Sequence, residues 1–245
     1  MSPRARRTRS SARIRAVVAD VDGTLTDSRR RLDPEAVRAV QGLTDRGIPV
    51  LLATGNVLPV ALALQRALGL ATPVVAENGG ILYWPGTSRI ERLADPAVPR
   101  ACYRRLLRRG IPVRRLFTDR WRESEVALDT SVPIERIRAA LEGVPVAVEG
   151  TGFAIHLMEP GAGKHPALRR ALRPLGLTLR DCLVLGDGDN DVAMLRAAGR
   201  SVSFPNGSPL ARAAADHVTR ADAAAGFLEG LRWAGLVPRT GGEAR

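Results

Sequence analysis

Val17-Val18-Ala19-Asp20-Val21-Asp22-Gly23-Thr24 is the stretch from which the rest of the chain is read. Apolar, partly β-branched residues run into an aspartate, then an apolar residue, a second aspartate and a glycine that permits a turn. The pattern predicts a buried strand that stops abruptly. Side chains two apart on a strand share a face, so Asp20 and Asp22 are expected close together at its C-terminal end. Two carboxylates there repel, and each is costly to desolvate; a cation or a shared proton relieves both. Taken alone, a D-x-D-G sequence is read equally well as a helix-capping Asp beside a turn Asp. The segments downstream favour the first reading.

The motif of a buried strand ending in polar residues recurs. Asp33-Pro34-Glu35 supplies an N-cap, a proline at the first helical position and an acidic first turn, for a helix to about Arg46 that Gly47 ends. Residues 48–54 form a second apolar run, which stops at Thr54-Gly55-Asn56. A helix over about 57–69 begins there, and its free N–H groups suit an anion. Thr54 reads either as a helix cap or as a hydroxyl donor to a phosphoryl oxygen. Residues 73–76 are a third strand, closed by the turn Glu77-Asn78-Gly79-Gly80. Strands alternating with helices imply a parallel sheet with right-handed crossovers. Strands that all end at polar residues on one edge place a ligand there.

After residue 80 the apolar runs shorten. Residues 81–84 and 89–93 suggest a hairpin around Pro85-Gly86. Helices are expected over 96–109 and 133–142, with strands over 113–118, 124–130, 146–150 and 153–158. The chain then crosses a Gly-rich loop to Lys164, just ahead of a helix over about 166–176. An apolar strand, Leu183-Val184-Leu185, ends in Gly186-Asp187-Gly188-Asp189-Asn190-Asp191. A helix from about 190 to Gly199, late strands at 201–204 and 217–219, and a last helix at 222–235 complete the reading. The fold class is α/β: a Rossmann-like parallel-sheet core domain of 14–83 and 158–236 with an inserted small α+β domain, 84–157. Residues 1–13 are expected to be a disordered basic tail and 237–245 a frayed one.

The chain has 245 residues, 45% of them hydrophobic, and a net charge of +12, which attracts polyanions. Nucleic-acid binding is the reading from a different class. Only 4% of residues are aromatic, no basic-aromatic stacking pattern occurs, and the Arg-rich stretch 100–115 reads as a solvated helix face. No apolar run approaches the ~20 residues needed to cross a bilayer, and the first residues lack the apolar core of a secretory signal. Cys102 and Cys182 are far apart and suggest neither a disulfide framework nor a metal cluster, so a reducing cytoplasm is expected. Among 37 basic residues Lys164 is the one lysine. Its ammonium is a compact charge with rotating donors, where guanidinium is a planar fork.

Asp20, Asp22, Thr54, Lys164, Asp187 and Asp191 all fall at strand ends or helix starts. Four carboxylates in one crevice need a counterion, and all-oxygen ligands suit Mg²⁺, which expects substrate phosphate in its shell. Neither an EF-hand loop nor a Walker A loop is present. These roles fit phosphoryl transfer. One aspartate attacks phosphorus and splits hydrolysis into two steps. Lys164, Thr54 and backbone N–H groups hold the phosphoryl oxygens, and a second acid protonates the leaving alcohol and then activates water. Asp20, which ends the strand, is the better nucleophile; Asp22, in the turn, better reaches the leaving group.

In order and spacing, Asp20-Val21-Asp22-Gly23-Thr24, Thr54-Gly55-Asn56, Lys164 and Gly186-Asp187-Gly188-Asp189-Asn190-Asp191 resemble the four motifs of the haloacid dehalogenase superfamily. The insertion between the second and third motifs is similar to the larger cap of its Cof-like branch. Thr54-Gly55-Asn56-Val57-Leu58-Pro59 and Ala76-Glu77-Asn78-Gly79-Gly80 resemble archaeal-type phosphoglycolate phosphatases. The resemblance implies Asp20 as nucleophile and metal ligand, and Asp22 as general acid/base and ligand through its backbone carbonyl. It also implies Asp187 and Asp191 at the Mg²⁺, and Thr54, Gly55, Asn56 and Lys164 on the phosphoryl group, with Asn190 as a supporting contact. His165-Pro166 and the segment 203–207 depart from the family's usual residues at those positions. The expected function is Mg²⁺-dependent hydrolysis of a small phosphorylated metabolite, 2-phosphoglycolate first and a sugar phosphate second. No membrane or nucleic-acid partner is expected, and a homodimer is compatible with the chain.

Overall fold

β1 (Ala16–Ala19) forms where the apolar run predicts it. In this computed structural model, which describes residues 13–238, β1 lies in the middle of an eight-stranded sheet. It pairs in parallel with β2 (Val50–Ala53) on one side and β9 (Cys182–Leu185) on the other. β3 (Val74–Ala76) extends the sheet beyond β2, and β10 (Arg200–Ser203) and β11 (His217–Val218) extend it beyond β9. Successive connections thus depart from β1 in opposite directions, which opens a crevice at its C-terminal end.

Alternation along β1 builds two layers of core. Val17 and Ala19 face α1 (Pro34–Asp45), α2 (Leu58–Ala67) and α8 (Ala223–Trp233), packing with Val40, Leu43, Ala61 and Phe227. Ala16 and Val18 face α5 (Lys164–Leu172), α6 (Val192–Ala197) and α7 (Pro209–Ala214), packing with Leu168, Met194 and Ala211. All four β1 side chains are fully buried, and each Val or Leu so buried contributes about 1.5–3 kcal/mol. Asp33 caps α1 as expected, accepting from Glu35 N at 2.8 Å and Ala36 N at 3.1 Å. α7 has no counterpart in the sequence reading; Ser208 caps it, with Pro209 in its first turn.

Three further features differ from expectation. The boundary drawn at residue 84 falls inside the hairpin of β4 (Ile81–Trp84) and β5 (Arg89–Arg92), which belongs to the large sheet. β4 pairs antiparallel with β3 from Val74↔Tyr83 to Ala76↔Ile81 and buries Ile81 and Leu82, so the insertion begins after Arg92. The strand expected at 113–118 is reduced to one bridge, Arg115↔Leu128, followed by a 3₁₀ turn over Phe117–Trp121. Buried Asp119 takes the place of a ladder partner there, accepting from Ala127 N at 2.6 Å. Lys164 is the first residue of α5 rather than a residue ahead of it. The N-cap of α2 is Val57, which removes the helix-cap reading from the two that Thr54 allowed.

The inserted module packs α3 (Ala97–Arg108) and α4 (Ile134–Ala140) on an antiparallel sheet of β6 (Val126–Leu128), β8 (Ile155–Met158) and β7 (Ala147–Gly150), in that order. Cys102, Leu106, Ile137 and Leu157 form a third core, while Arg104, Arg108 and Arg109 lie exposed as a solvated face. Of the two expected tails, 1–12 and 239–245 lie outside the described residues; Val237 packs, half-buried, against the α1–α8 side of the core. Among the described residues no helix is long and apolar enough to cross a membrane.

Candidate active site

Parallel strands deliver their ends to one edge, and each is followed by a polar residue: Asp20 after β1, Thr54 after β2, Glu77 after β3, and Gly186-Asp187 after β9. Lys164 enters this edge from the first turn of α5 and is 1% exposed. Its Nζ donates to Asp20 Oδ1 at 2.6 Å and Asp191 Oδ1 at 2.7 Å. The other Asp191 oxygen accepts from Asp187 N at 3.0 Å and Gly188 N at 2.9 Å, which holds the loop after β9 in place. Carboxylate oxygens of Asp20, Asp187 and Asp191 lie within 4.8 Å of one another.

One ammonium does not balance three carboxylates, those of Asp20 and Asp191 buried and that of Asp187 half-buried. Burial pushes the Asp20 carboxyl well above its ordinary range; Lys164 opposes the shift, and Asp191 and Asp187 add to it. Burial, and then Asp191, push Asp187 up to about 7. Burial works to lower the Lys164 pKa, but Asp191 and Asp20 outweigh it and raise it, so the ammonium stays charged. The cluster carries more negative than positive charge, and its three carboxylates could hold a cation.

Asp22 stands apart from that cluster and beside its mouth. It is half-buried, accepts from Asn56 Nδ2 at 2.6 Å, and pairs with Arg30 Nε at 3.2 Å. Thr54 is buried, and its Oγ1 accepts from Asn56 N at 3.0 Å, so it shapes the Thr-Gly-Asn turn instead of capping a helix. A cavity of about 260 Å³ opens here, lined by Asp20, Asp22, Asp187, Asn190, glycines 23, 55 and 188, and Arg30. Its far wall is Thr151-Gly152-Phe153, the loop between β7 and β8 of the inserted module. A larger groove of about 1190 Å³, between the β4–β5 hairpin and α5, holds none of these carboxylates.

The sequence reading missed the groups that join the module to this edge. Asn78, at φ +53, is buried; it accepts from Asn190 Nδ2 at 2.8 Å and donates to Glu125 Oε2 at 3.0 Å. Glu125 also pairs with Arg122 and, at 3.1 Å, with His156 Nδ1. Burial would raise the Glu125 carboxyl, but His156 and Arg122 hold it below its ordinary value. Arg122 Nη1 in turn donates to Gly55 O at 3.0 Å. Glu77 accepts from Ser124 Oγ at 2.6 Å and from Glu123 N and Ser124 N. Buried polar residues in a turn and in a module far along the chain were the available signal, and only contacts reveal their pairing. On the other side, Asn206 Nδ2 donates to Gly23 O at 3.0 Å. The other two histidines lie away from this network: His165 is half-buried in α5, and His217 stacks on Trp233 with ring centroids 4.7 Å apart.

A sheet-edge carboxylate cluster with a buried lysine, roofed by an inserted module, defines a class of hydrolases, and comparison with known proteins agrees. Residues 17–95 and 127–231 match the haloacid dehalogenase-like hydrolase family, and the chain belongs to it. A phosphoglycolate phosphatase from Methanothermobacter thermautotrophicus is 40% identical over 220 residues, covering 89% of this chain and 98% of the relative. A crystal structure of a Thermoplasma acidophilum protein superposes with a TM-score of 0.82 at 28% identity, covering 92% of this chain and all of the other. A sugar phosphatase of haloacid dehalogenase subclass IIB shares the fold, with a TM-score of 0.75 at 17% identity over 91% of this chain and all of its own.

Proposed function

We propose that this chain is a Mg²⁺-dependent phosphatase that hydrolyses 2-phosphoglycolate to glycolate and phosphate through an aspartyl phosphate on Asp20. The observation that carries the reading is Lys164 Nζ seated between Asp20 and Asp191 beneath a cavity sized for a small metabolite. The choice of substrate is supported by the relatives named phosphoglycolate phosphatase, which this chain matches over most of their length.

The donor set fits a hard divalent cation. Asp20, Asp187 and Asp191 each offer a carboxylate oxygen to it, and Asp191 is held in place by Lys164 and by two backbone N–H groups. A Cβ on Gly23 would stand 2.3 Å from Asp187 Oδ2, so only glycine lets the loop after β1 approach this close. Mg²⁺ held by Asp20, Asp187, Asp191 and the Asp22 carbonyl would screen the carboxylates from an arriving phosphate and polarise its oxygens.

The chain's own groups do the rest. Lys164 fixes Asp20 Oδ1 and leaves Oδ2 to attack phosphorus, which breaks the bond to the glycolate oxygen. Asp22, held by Asn56, donates its proton to that oxygen as it leaves. As a carboxylate, Asp22 then takes a proton from water; the water oxygen attacks phosphorus, frees phosphate and restores Asp20. Lys164 and the backbone of Thr54-Gly55-Asn56 face the transferring group. The loop 151–153 and Arg30 restrict entry to small molecules. We place the enzyme in the cytoplasm, where its buried free thiols Cys102 and Cys182 persist.

A panel of phosphorylated metabolites assayed by phosphate release tests the reading. We expect 2-phosphoglycolate to give the highest kcat/KM, above hexose phosphates, and turnover to stop on chelation and return with Mg²⁺. A higher kcat/KM for a hexose phosphate would transfer the enzyme to the sugar-phosphate reading.

A further inference from the structure

The substrate side of the cavity is built almost wholly of acids and glycines, and Arg30 is the one cation lining it among the described residues. The chain places that arginine with care. Asp27 receives Arg29 N at 2.8 Å, Arg31 N at 2.9 Å and Arg31 Nε at 2.8 Å, and the Thr26↔Leu32 bridge closes the loop. Arg30 sits at the turn's apex with φ +62, a left-handed conformation that a side chain with a Cβ rarely takes. Of three successive arginines, 29 to 31, it alone lines the cavity; Arg31 is spent on Asp27. The guanidinium meets Asp22 at 3.2 Å and lies 4.0 Å from the ring centroid of Phe153, across the cavity mouth. Its side chain is half-exposed, so it moves without unpacking a core.

A substrate with a second anion beyond its phosphate meets three carboxylates here and needs a cation on the leaving-group side. We propose that Arg30 selects substrates carrying a carboxylate: its guanidinium turns from Asp22 to the substrate carboxylate and stays stacked on Phe153. A planar fork matches a carboxylate with two donors, and the aromatic face holds the plane in place. Turning away also frees Asp22 to reach the leaving oxygen. The inference rests on the phosphatase reading and adds to it the residue that sets substrate class.

The test compares 2-phosphoglycolate with two analogues of similar length, ethyl phosphate and 2-aminoethyl phosphate, on wild type, Arg30→Gln, Arg30→Lys and Arg30→Glu. In wild type, kcat/KM should favour 2-phosphoglycolate over ethyl phosphate. Arg30→Gln should reduce that ratio about 10- to 100-fold, mostly through KM, as expected for a lost charged hydrogen bond. Arg30→Lys should restore part of the ratio, and Arg30→Glu should shift preference to 2-aminoethyl phosphate. An unchanged ratio in all three variants, with both substrates falling together, would overturn the proposal and leave Arg30 acting only through Asp22. A wild type that hydrolyses none of the three phosphates removes the phosphatase reading itself. One that prefers ethyl phosphate removes only the carboxylated substrate, and the proposal with it.

Discussion

At the scale of single residues the site turns on charge balance. Lys164 compensates two buried carboxylates at 2.6 and 2.7 Å, and its removal leaves Asp20, Asp187 and Asp191 facing each other. Breaking a buried ion pair from one side costs about 3–5 kcal/mol. Lys164→Met should therefore lower stability by that order in chelator at pH 8, measured by urea denaturation. At pH 5 the loss should shrink, because Asp187, pushed up to about 7, then carries a proton, and burial raises Asp20 in the same direction. An equal loss at both pH values would mean that packing, not charge, is what Lys164 supplies. Lys164 was legible in the sequence because it is the one ammonium among arginines, and Asp20 because a buried run ended on it. Arg30 was not: three adjacent arginines look alike until the backbone turns one of them inward.

At the scale of elements, the first turn of α5 must meet the turn after β3. Gly79 has φ +99, and a Cβ there would lie 2.1 Å from Gly163 O, immediately before Lys164. Gly79→Ala must push back the start of α5 and carry Lys164 with it. We expect kcat to fall at least tenfold along with a lower Tm, whereas Gly86→Ala, where a Cβ meets nothing within 4 Å, should change neither. A Gly79→Ala enzyme with wild-type kcat would show that Lys164 does not depend on this contact. Strands β1, β2, β3 and β9 were legible because each is buried on both faces and reads as a continuous apolar run. The stretch 113–118 misled because Val-Arg-Arg-Leu-Phe-Thr suggests a strand, while Asp119 claims the Ala127 N–H that a ladder would use. α7 escaped because its six residues bury only Ala211 and carry no apolar stripe.

At the scale of the molecule, the carboxylate cluster couples stability to pH and to the cation. Asp187 goes from an ordinary 3.8 to about 7 in the metal-free fold, so the folded state binds more protons than the unfolded one between those values. Stability contributed by this proton is present below pH 4 and is lost as pH rises toward 7 and beyond. In chelator, Tm should drop from pH 5 to pH 8; with saturating Mg²⁺, which displaces the proton, the drop should vanish or reverse. A Tm that falls identically with and without Mg²⁺ would separate the cluster from metal binding. The two-module plan was legible from the change in apolar run length, but its seam was not. The β4–β5 hairpin continues the large sheet by pairing with β3, and no property of residues 84–92 by themselves distinguishes a sheet edge from the start of an insertion. On this mechanism Asp20 receives the phosphoryl group. A single turnover of 2-phosphoglycolate labelled in its phosphate, quenched in acid and digested, tests it most directly. Label should appear on the peptide containing Asp20, and none in Asp20→Asn, whose steady-state turnover should fall on the order of 10⁴-fold. Label on another peptide, or rapid phosphate release by Asp20→Asn, would contradict it.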